Sequence, residues 1–321
     1  RGGGFAGASS RLVGGIVDQT NNVRNFSSYL TVNANKTFGD FNLSGTLGNE
    51  INQNYSSTNN LIGYTLVVPH FNNIKNALTY NPTLGSTQTR LLGLFADFVA
   101  EYKGYLSLNV KARNDYSSTL TPANRSIFYP AAALSFVATE AFPMLKSERY
   151  VNLIKLRASI GEVGKGATAY STDTYYDKSS ASDGTGAVIN FPYNGLAGFT
   201  LNNGAGNPDI TPEFTREISF GTELGFFRNR LTLDASYYKR DTRSVILSVP
   251  YSATSGITSV VQNAGKLSTK GVELLLGGTP IKSKDFSWDI SVNYTKYKSV
   301  VEELAPGVSN IFLGGFTTPN I

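Results

Sequence analysis

"LTLDASYYKRDTRSVIL", residues 231–247, separates into two chemistries when alternate residues are read. Leu231, Leu233, Ala235 and Tyr237 fall on one side, and Thr232, Asp234, Ser236 and Tyr238 on the other. Successive side chains of an extended chain point to opposite faces, so this period predicts a strand with one apolar and one polar face.

The same alternation recurs along the whole chain. "FSSYLTVNANK" (26–36) sets Leu30, Val32 and Ala34 against Thr31, Asn33 and Asn35, and "FNLSGTLGN" (41–49) sets Phe41, Leu43 and Leu47 against Asn42, Ser44 and Thr46. Further stretches begin at Leu91, Tyr105, Tyr129, Val151, Glu213, Lys266 and Phe286. With the opening stretch they predict about ten strands, each near the ten-residue span with which a tilted strand crosses a bilayer.

The connections alternate in length. "TFGD", "KG", "RNR" and "KSKD" are short polar turns, with Thr139–Tyr150 as a longer member of that series. Between them lie the polar segments Glu50–Arg90, Tyr116–Phe128, Glu162–Pro212 and Ser244–Gly265, read here as long loops on the opposite end. Phe38, Phe41, Tyr102, Tyr105, Phe226, Phe227, Phe286 and Trp288 flank the short turns. Rings at strand ends match the interfacial girdle of a transmembrane barrel, with short periplasmic turns and long extracellular loops. A soluble β-sandwich also alternates, but its strands average about 5–6 residues and its loops rarely reach this length. Pattern therefore favours an all-β, antiparallel transmembrane barrel, with Leu233 and its neighbours facing lipid and Ser236 and its neighbours facing a polar lumen. Closure of such a barrel satisfies every backbone polar group without a membrane helix.

Composition agrees. Of 321 residues, 16% are charged and 12% aromatic, with 32 glycines, a balance that favours strands and turns. The net charge of +5 comes from scattered Lys and Arg with no basic run, which argues against a nucleic-acid partner. Cysteine is absent and His70 is the single histidine, so neither disulfides nor a transition-metal site is expected. "RGGGFAGASS" has neither Met nor an apolar leader, and "GGFTTPNI" stops inside an element, so the sequence reads as a piece of something longer.

Specific strings carry a resemblance. "YLSLNVKARNDYSSTL", "FYPAAALSFVATEAFP" and "LIKLRASIGEVG" follow in order, then Asn207-Pro208-Asp209 with Glu213, "YYKRDT", "NAGKLSTKGVEL" and Trp288, with "VVPHFNNIKNA" upstream. Together they resemble the SusC-like branch of the TonB-dependent outer-membrane transporters of Bacteroidetes type, over nearly the whole chain. Ala131 stands where that pattern has Ser, and "KGA" displaces a Gly after Gly161.

The resemblance implies that residues 1–321 are part of one barrel domain of about 22 strands, with the plug and C-terminal strands outside the sequence. It implies a bacterial outer-membrane active transporter that imports large nutrients, glycan oligosaccharides or peptides. A SusD-like surface lipoprotein would act as its lid, and the TonB–ExbB–ExbD complex would energise it through a segment outside the chain. The rival reading from another class is a structural or interaction barrel that anchors a surface assembly in outer-membrane lipid.

Candidate residues divide by location. Arg113 and Asp115 lie two apart and share a face, as do Lys155 and Arg157. Both pairs read as charge pairing and loop anchoring inside the lumen rather than substrate contact or catalysis. Tyr170, Tyr175, Tyr176 and Tyr193 sit in the longest loop, where rings could stack on a substrate or pack on one another. Gly265 and Gly271 read as positions that relieve crowding or shape a bulge rather than touch a ligand. "SIGEVGKGATAY" fails as a phosphate loop because Ser159 and Gly166 stand where Gly and Ser or Thr are needed. His70 lacks a nucleophile turn, so no enzyme and no cofactor are expected. Asp173, Asp177 and Asp183 lack the spacing of an EF-hand loop.

Overall fold

The computed structural model describes residues 14–68, 70–147, 149–182 and 188–304. Six strands come first: β1 (Ile16–Phe38), β2 (Phe41–Leu66), β3 (Ala77–Tyr102), β4 (Leu106–Ser117), β5 (Ser126–Val137) and β6 (Val151–Lys165). A single-turn helix α1 (Ala138–Ala141) occupies the longer of the short turns. Five brief strands follow: β7 (Tyr176–Lys178), β8 (Ser180–Ser182), β9 (Val188–Asn190), β10 (Phe199–Leu201) and β11 (Gly204–Ala205). The chain then builds β12 (Glu213–Phe226), β13 (Leu231–Pro250), β14 (Ser259–Lys282) and β15 (Ser287–Leu304). Among the described residues no helix is long and apolar enough to cross a membrane.

The ten long strands pair in sequence order, with β6 meeting β12 across the five brief ones, and β11 adds to β14 in parallel. The expected ten-strand antiparallel sheet is therefore present. Two expected loops are shorter than the sequence reading had them. β2 runs to Leu66 and β3 begins at Ala77, so most of Glu50–Arg90 is strand. Likewise β13 reaches Pro250 and β14 starts at Ser259 inside the expected Ser244–Gly265 loop. The β2 extension from Ile51 to Asn60 is mostly polar, so backbone pairing persists there without an apolar face to announce it. In the β13 and β14 extension, by contrast, Val249, Ala264 and Leu247 pack into a small apolar cluster.

The chain falls into two compact units, residues 14–28 with 51–91, and residues 29–50 with 92–304. In the first, Asn76 is buried and its amide donates to the carbonyls of Val68 and Phe71, both at 2.8 Å, while its oxygen accepts from Val68 N–H. Gly63 leaves room for Ala77, whose Cβ a side chain at 63 would meet at 2.6 Å.

In the second unit the register shows why both faces are specified. Ile154, Leu224, Leu233, Leu276 and Val292 stand opposite one another across five strands, forming one apolar row. On the other face Ser135, Arg157, Gly221, Ser236, Glu273 and Thr295 form a polar row. A slip of one residue in any pairing would exchange these faces, so the contrast between an apolar and a polar face fixes the register.

Aromatic rings collect at the short-turn end. Phe41, Tyr102, Tyr105, Phe136 and Phe142 form a chain of contacts with centroids 4.8–6.2 Å apart, and Tyr150 meets Phe227 at 6.3 Å. Lys103 and Asp40 join two of these turns at 3.2 Å, and the hydrogen bond that the ammonium donates to Asp40 raises the lysine pKa. At the opposite end Leu120, Ile127, Ala167 and Ile210 make a small core at the base of the longest connection, with Ile210 fully buried.

Candidate functional site

Arg113 and Asp115 lie on the polar face of β4. Arg113 Nε donates to Asp115 Oδ1 and Nη1 to Glu50 Oε2, both at 2.7 Å. Tyr129, directly opposite Arg113 on β5, donates its hydroxyl to Asp115 Oδ2 at 2.5 Å. The guanidinium also sits 5.9 Å from the Phe95 ring centre. Gly93 makes the cluster possible, because a Cβ there would come within 2.3 Å of Arg113 Nη2 and 2.6 Å of Asp115 Oδ1. Asp115 is buried, with one oxygen held by a cation and the other by a hydroxyl. Such a network cross-links strands and offers no open position for proton transfer.

Lys155 and Arg157 share the polar face of β6. Lys155 Nζ lies 3.2 Å from Glu223 Oε1, and Arg157 joins Glu223 at 2.9 Å and Asp234 at 2.6 Å. Two cations on β6 thus face two carboxylates, one on β12 and one on β13. Glu223 and Asp234 were not singled out from sequence as partners, although both fall on the polar parity of their strands. Nearer the long-connection end, Lys111 pairs with Asp97 at 3.0 Å, and Arg240 meets Glu217 through two nitrogens at 2.9 and 2.5 Å. An open depression of about 780 Å³ lies between these groups, bordered by Asn109, Lys111, Ser159, Glu217, Arg240 and Thr242. Its lining offers fixed donors and acceptors whose charges are matched in pairs.

The four loop tyrosines are all exposed, and the structure brings two of them together. Tyr170 and Tyr175 border a cavity of about 540 Å³ with Asp173, Asn202, Ser248 and Ser259. Tyr170 adopts a φ of 66°, a left-handed conformation uncommon for a bulky residue. Gly206 also borders the cavity and lets the backbone of Asp173 approach closely, since a Cβ there would overlap it at 2.3 Å. Tyr176 stands in β7 opposite Leu201, and Tyr193 pairs with Leu196 in a tight turn; neither lines this cavity.

Asp177 accepts from the Asn202 amide at 2.6 Å, and Asp183 lies outside the described residues. Among the described residues no group of three or more ligating side chains could hold a metal ion. His70 occupies the connection after β2, exposed and with a φ of 63°. Gly271 carries the Tyr238 ring against its backbone, where a Cβ would meet the ring at 2.5 Å, so the predicted relief of crowding is its role.

The family model described as "TonB dependent receptor-like, beta-barrel" matches residues 2–321. TonB-dependent receptor P3 of Formosa agariphila is 29% identical over 286 residues, 87% of this chain and 27% of the relative. TonB-dependent receptor SusC of Bacteroides thetaiotaomicron is 28% identical over 196 residues, 61% of this chain and 19% of the relative. The solved RagAB peptide transporter superposes with a TM-score of 0.78 at 22% identity, over 92% of this chain and 32% of that one. The alcaligin outer-membrane receptor FauA of Bordetella pertussis matches with a TM-score of 0.55 at 13% identity, over 89% and 41%. Likeness at these identities speaks for the fold. The chain spans about a quarter of the length of the curated relatives it matches.

Proposed function

We propose, because this chain belongs to the TonB-dependent receptor β-barrel family, that it supplies part of the wall of a nutrient importer in the bacterial outer membrane. The apolar rows face lipid and the polar rows face a water-filled lumen, within one barrel domain whose plug and remaining strands lie outside residues 1–321.

The observation that supports transport most is the state of the charges on the polar face. Arg113, Lys155, Arg157 and Arg240 each have a carboxylate partner within 3.2 Å. Matched pairs wet the lumen without presenting one strong site, and a path must bind its cargo weakly at several places to let it leave.

The exposed rings of Tyr170 and Tyr175, with the polar groups of their cavity, would receive the cargo on the outer side. Tyr176 and Tyr193 offer further exposed rings on the same connection. The similarity to SusC and to the RagAB peptide transporter supports a cargo of oligosaccharide or peptide size, and a SusD-like lipoprotein that closes over the long connections. Energy would reach the barrel from the TonB–ExbB–ExbD complex. No residue of the chain is assigned a catalytic role.

Uptake decides the reading. Cells lacking the full-length gene, complemented with it, are offered labelled oligosaccharides and peptides with and without functional TonB. Import of one class that requires both the gene and TonB is the expected result. Unchanged import in every strain, with a surface assembly lost on deletion, would replace transport by the anchoring role.

A further inference from the structure

On the apolar face the register places three lysines side by side. Lys239 of β13 stands opposite Lys270 of β14, and Lys270 stands opposite Lys298 of β15. Lys296 follows one pleat nearer the short turns, opposite Val272. Like charges directly across a strand pair are destabilising, so strand pairing alone gives no reason for this row.

The row has a definite height. Below it on the same face lie Tyr237 and Val272, then Ala235, Leu274 and Tyr294, then Leu233, Leu276 and Val292, then Leu231 and Ile290. Leu231 and Lys239 are eight residues apart, which at about 3.4 Å per residue and a tilt of about 40° gives roughly 20 Å across the membrane. An apolar band is about 25 Å tall, so the ammonium groups stand where hydrocarbon gives way to headgroups. Tyr237 and Tyr294, both exposed on this face, mark the same boundary from below. The long connections lie on this side, which makes it the outer leaflet.

Acidic neighbours cover part of the row. Asp241 holds Lys239 at 2.8 Å and accepts from Ser268 Oγ at 2.7 Å, and Glu303 holds Lys266 one pleat higher. Among the described residues Lys270, Lys296 and Lys298 form no ion pair. Asp241 and Glu302 offset part of the charge, and among the described residues Lys239 alone in the row has an ion-pair partner. The ammonium groups at headgroup level thus keep an excess of positive charge that suits a phosphate ester, a multivalent acceptor that two or three lysines can share.

We propose that Lys239, Lys270 and Lys298 form a docking site for the phosphorylated headgroup of an outer-leaflet glycolipid. The acyl chains would lie along the apolar rows beneath, and the phosphate would relieve the repulsion between Lys270 and Lys298. This site is on the lipid side of the sheet and is separate from any path through the lumen.

The test uses the purified full-length protein in mild detergent, loaded with bis-phosphorylated lipid A, with its dephosphorylated counterpart, or with inorganic phosphate. Native mass spectrometry counts the bound lipid. The wild type is expected to hold bis-phosphorylated lipid A at least about tenfold more tightly than the K239A/K270A/K298A variant, given the size of lysine–headgroup attraction. The K239R/K270R/K298R variant should retain it, and dephosphorylated lipid A should bind the wild type no better than the alanine variant holds the phosphorylated form. Equal retention of the two lipids by the wild type would overturn the proposal, even if the alanine variant failed to assemble. Displacement of the lipid by inorganic phosphate alone would also overturn it, assigning the lysines to the free ion.

Discussion

Arg157 on β6 reaches over the intervening strand β12 to Asp234 on β13, with Nη2 2.6 Å from Oδ1. It passes above Gly221, where a Cβ would lie 3.1 Å from that nitrogen. The missing side chain lets one arginine tie three strands together. Gly221→Leu is therefore expected to displace the guanidinium, and Gly221→Ala to disturb it less. Both ends of the pair are about one-third exposed, so the ion pair itself is worth only about 0–1 kcal/mol. The midpoint of heat-induced mobility change in membranes reads the effect, with the leucine variant below the alanine variant. Equal midpoints for both variants and wild type would contradict the bridging role of Gly221.

Gly93 stands under a tighter cluster. Gly93→Val would drive the Arg113 head away from Asp115 and Glu50 and leave the buried Asp115 without its cation. Loss of a partner by a buried charged group costs about 1–3 kcal/mol or more, so this variant should lower barrel stability further than Gly221→Leu. Urea-dependent unfolding of the full-length protein in detergent micelles measures it. A midpoint unchanged from wild type would show that the cluster can re-form elsewhere.

Face assignment can be tested by charge. Leu233 lies within the apolar row, where arginine costs about 2–4 kcal/mol at the membrane midplane. Thr295 lies on the polar face opposite Glu273, where an added arginine gains a carboxylate neighbour. Leu233→Arg should impair assembly and Thr295→Arg should not, as seen by heat-modifiable mobility in isolated outer membranes. Equal assembly of both would reverse or abolish the face assignment.

The ten strands and their faces were legible because lipid and water act on alternate side chains. Leu233 and Ser236, or Val32 and Asn33, declare their sides without reference to any partner. Where both faces meet water, the signal disappears. The stretch "INQNYSSTNN" (51–60) reads as loop and is strand, because its pairing rests on backbone groups that carry no side-chain signature. Arg113 with Asp115 and Lys155 with Arg157 were visible as same-face pairs two residues apart. Their partners Glu50, Tyr129, Glu223 and Asp234 come from 14 to 77 residues away, and only strand register identifies them. Of the four loop tyrosines, sequence had no means to separate Tyr170 and Tyr175, which share a cavity, from Tyr176 and Tyr193, which do not line it.

The shared cavity yields a prediction of its own. The double variant Tyr170→Ala with Tyr175→Ala should weaken apparent affinity for the imported cargo by about tenfold, about 1.4 kcal/mol. Tyr176→Ala with Tyr193→Ala should have a smaller effect, since those rings stand outside it. Concentration-dependent uptake in the complemented strain gives both values, with surface abundance measured alongside. A larger loss from the second pair would move the cargo contact away from the cavity.

The sheet has one face in lipid and the other in water, and cysteine accessibility along β13 measures that directly. The chain contains no cysteine, so single substitutions at Leu231 through Tyr238 introduce the sole thiol within these residues. Intact outer membranes carrying each full-length variant are treated with a hydrophilic maleimide. A period of two is expected, with positions 232, 234, 236 and 238 modified and positions 231, 233, 235 and 237 protected. Uniform labelling of all eight, or protection in the opposite phase, would contradict it.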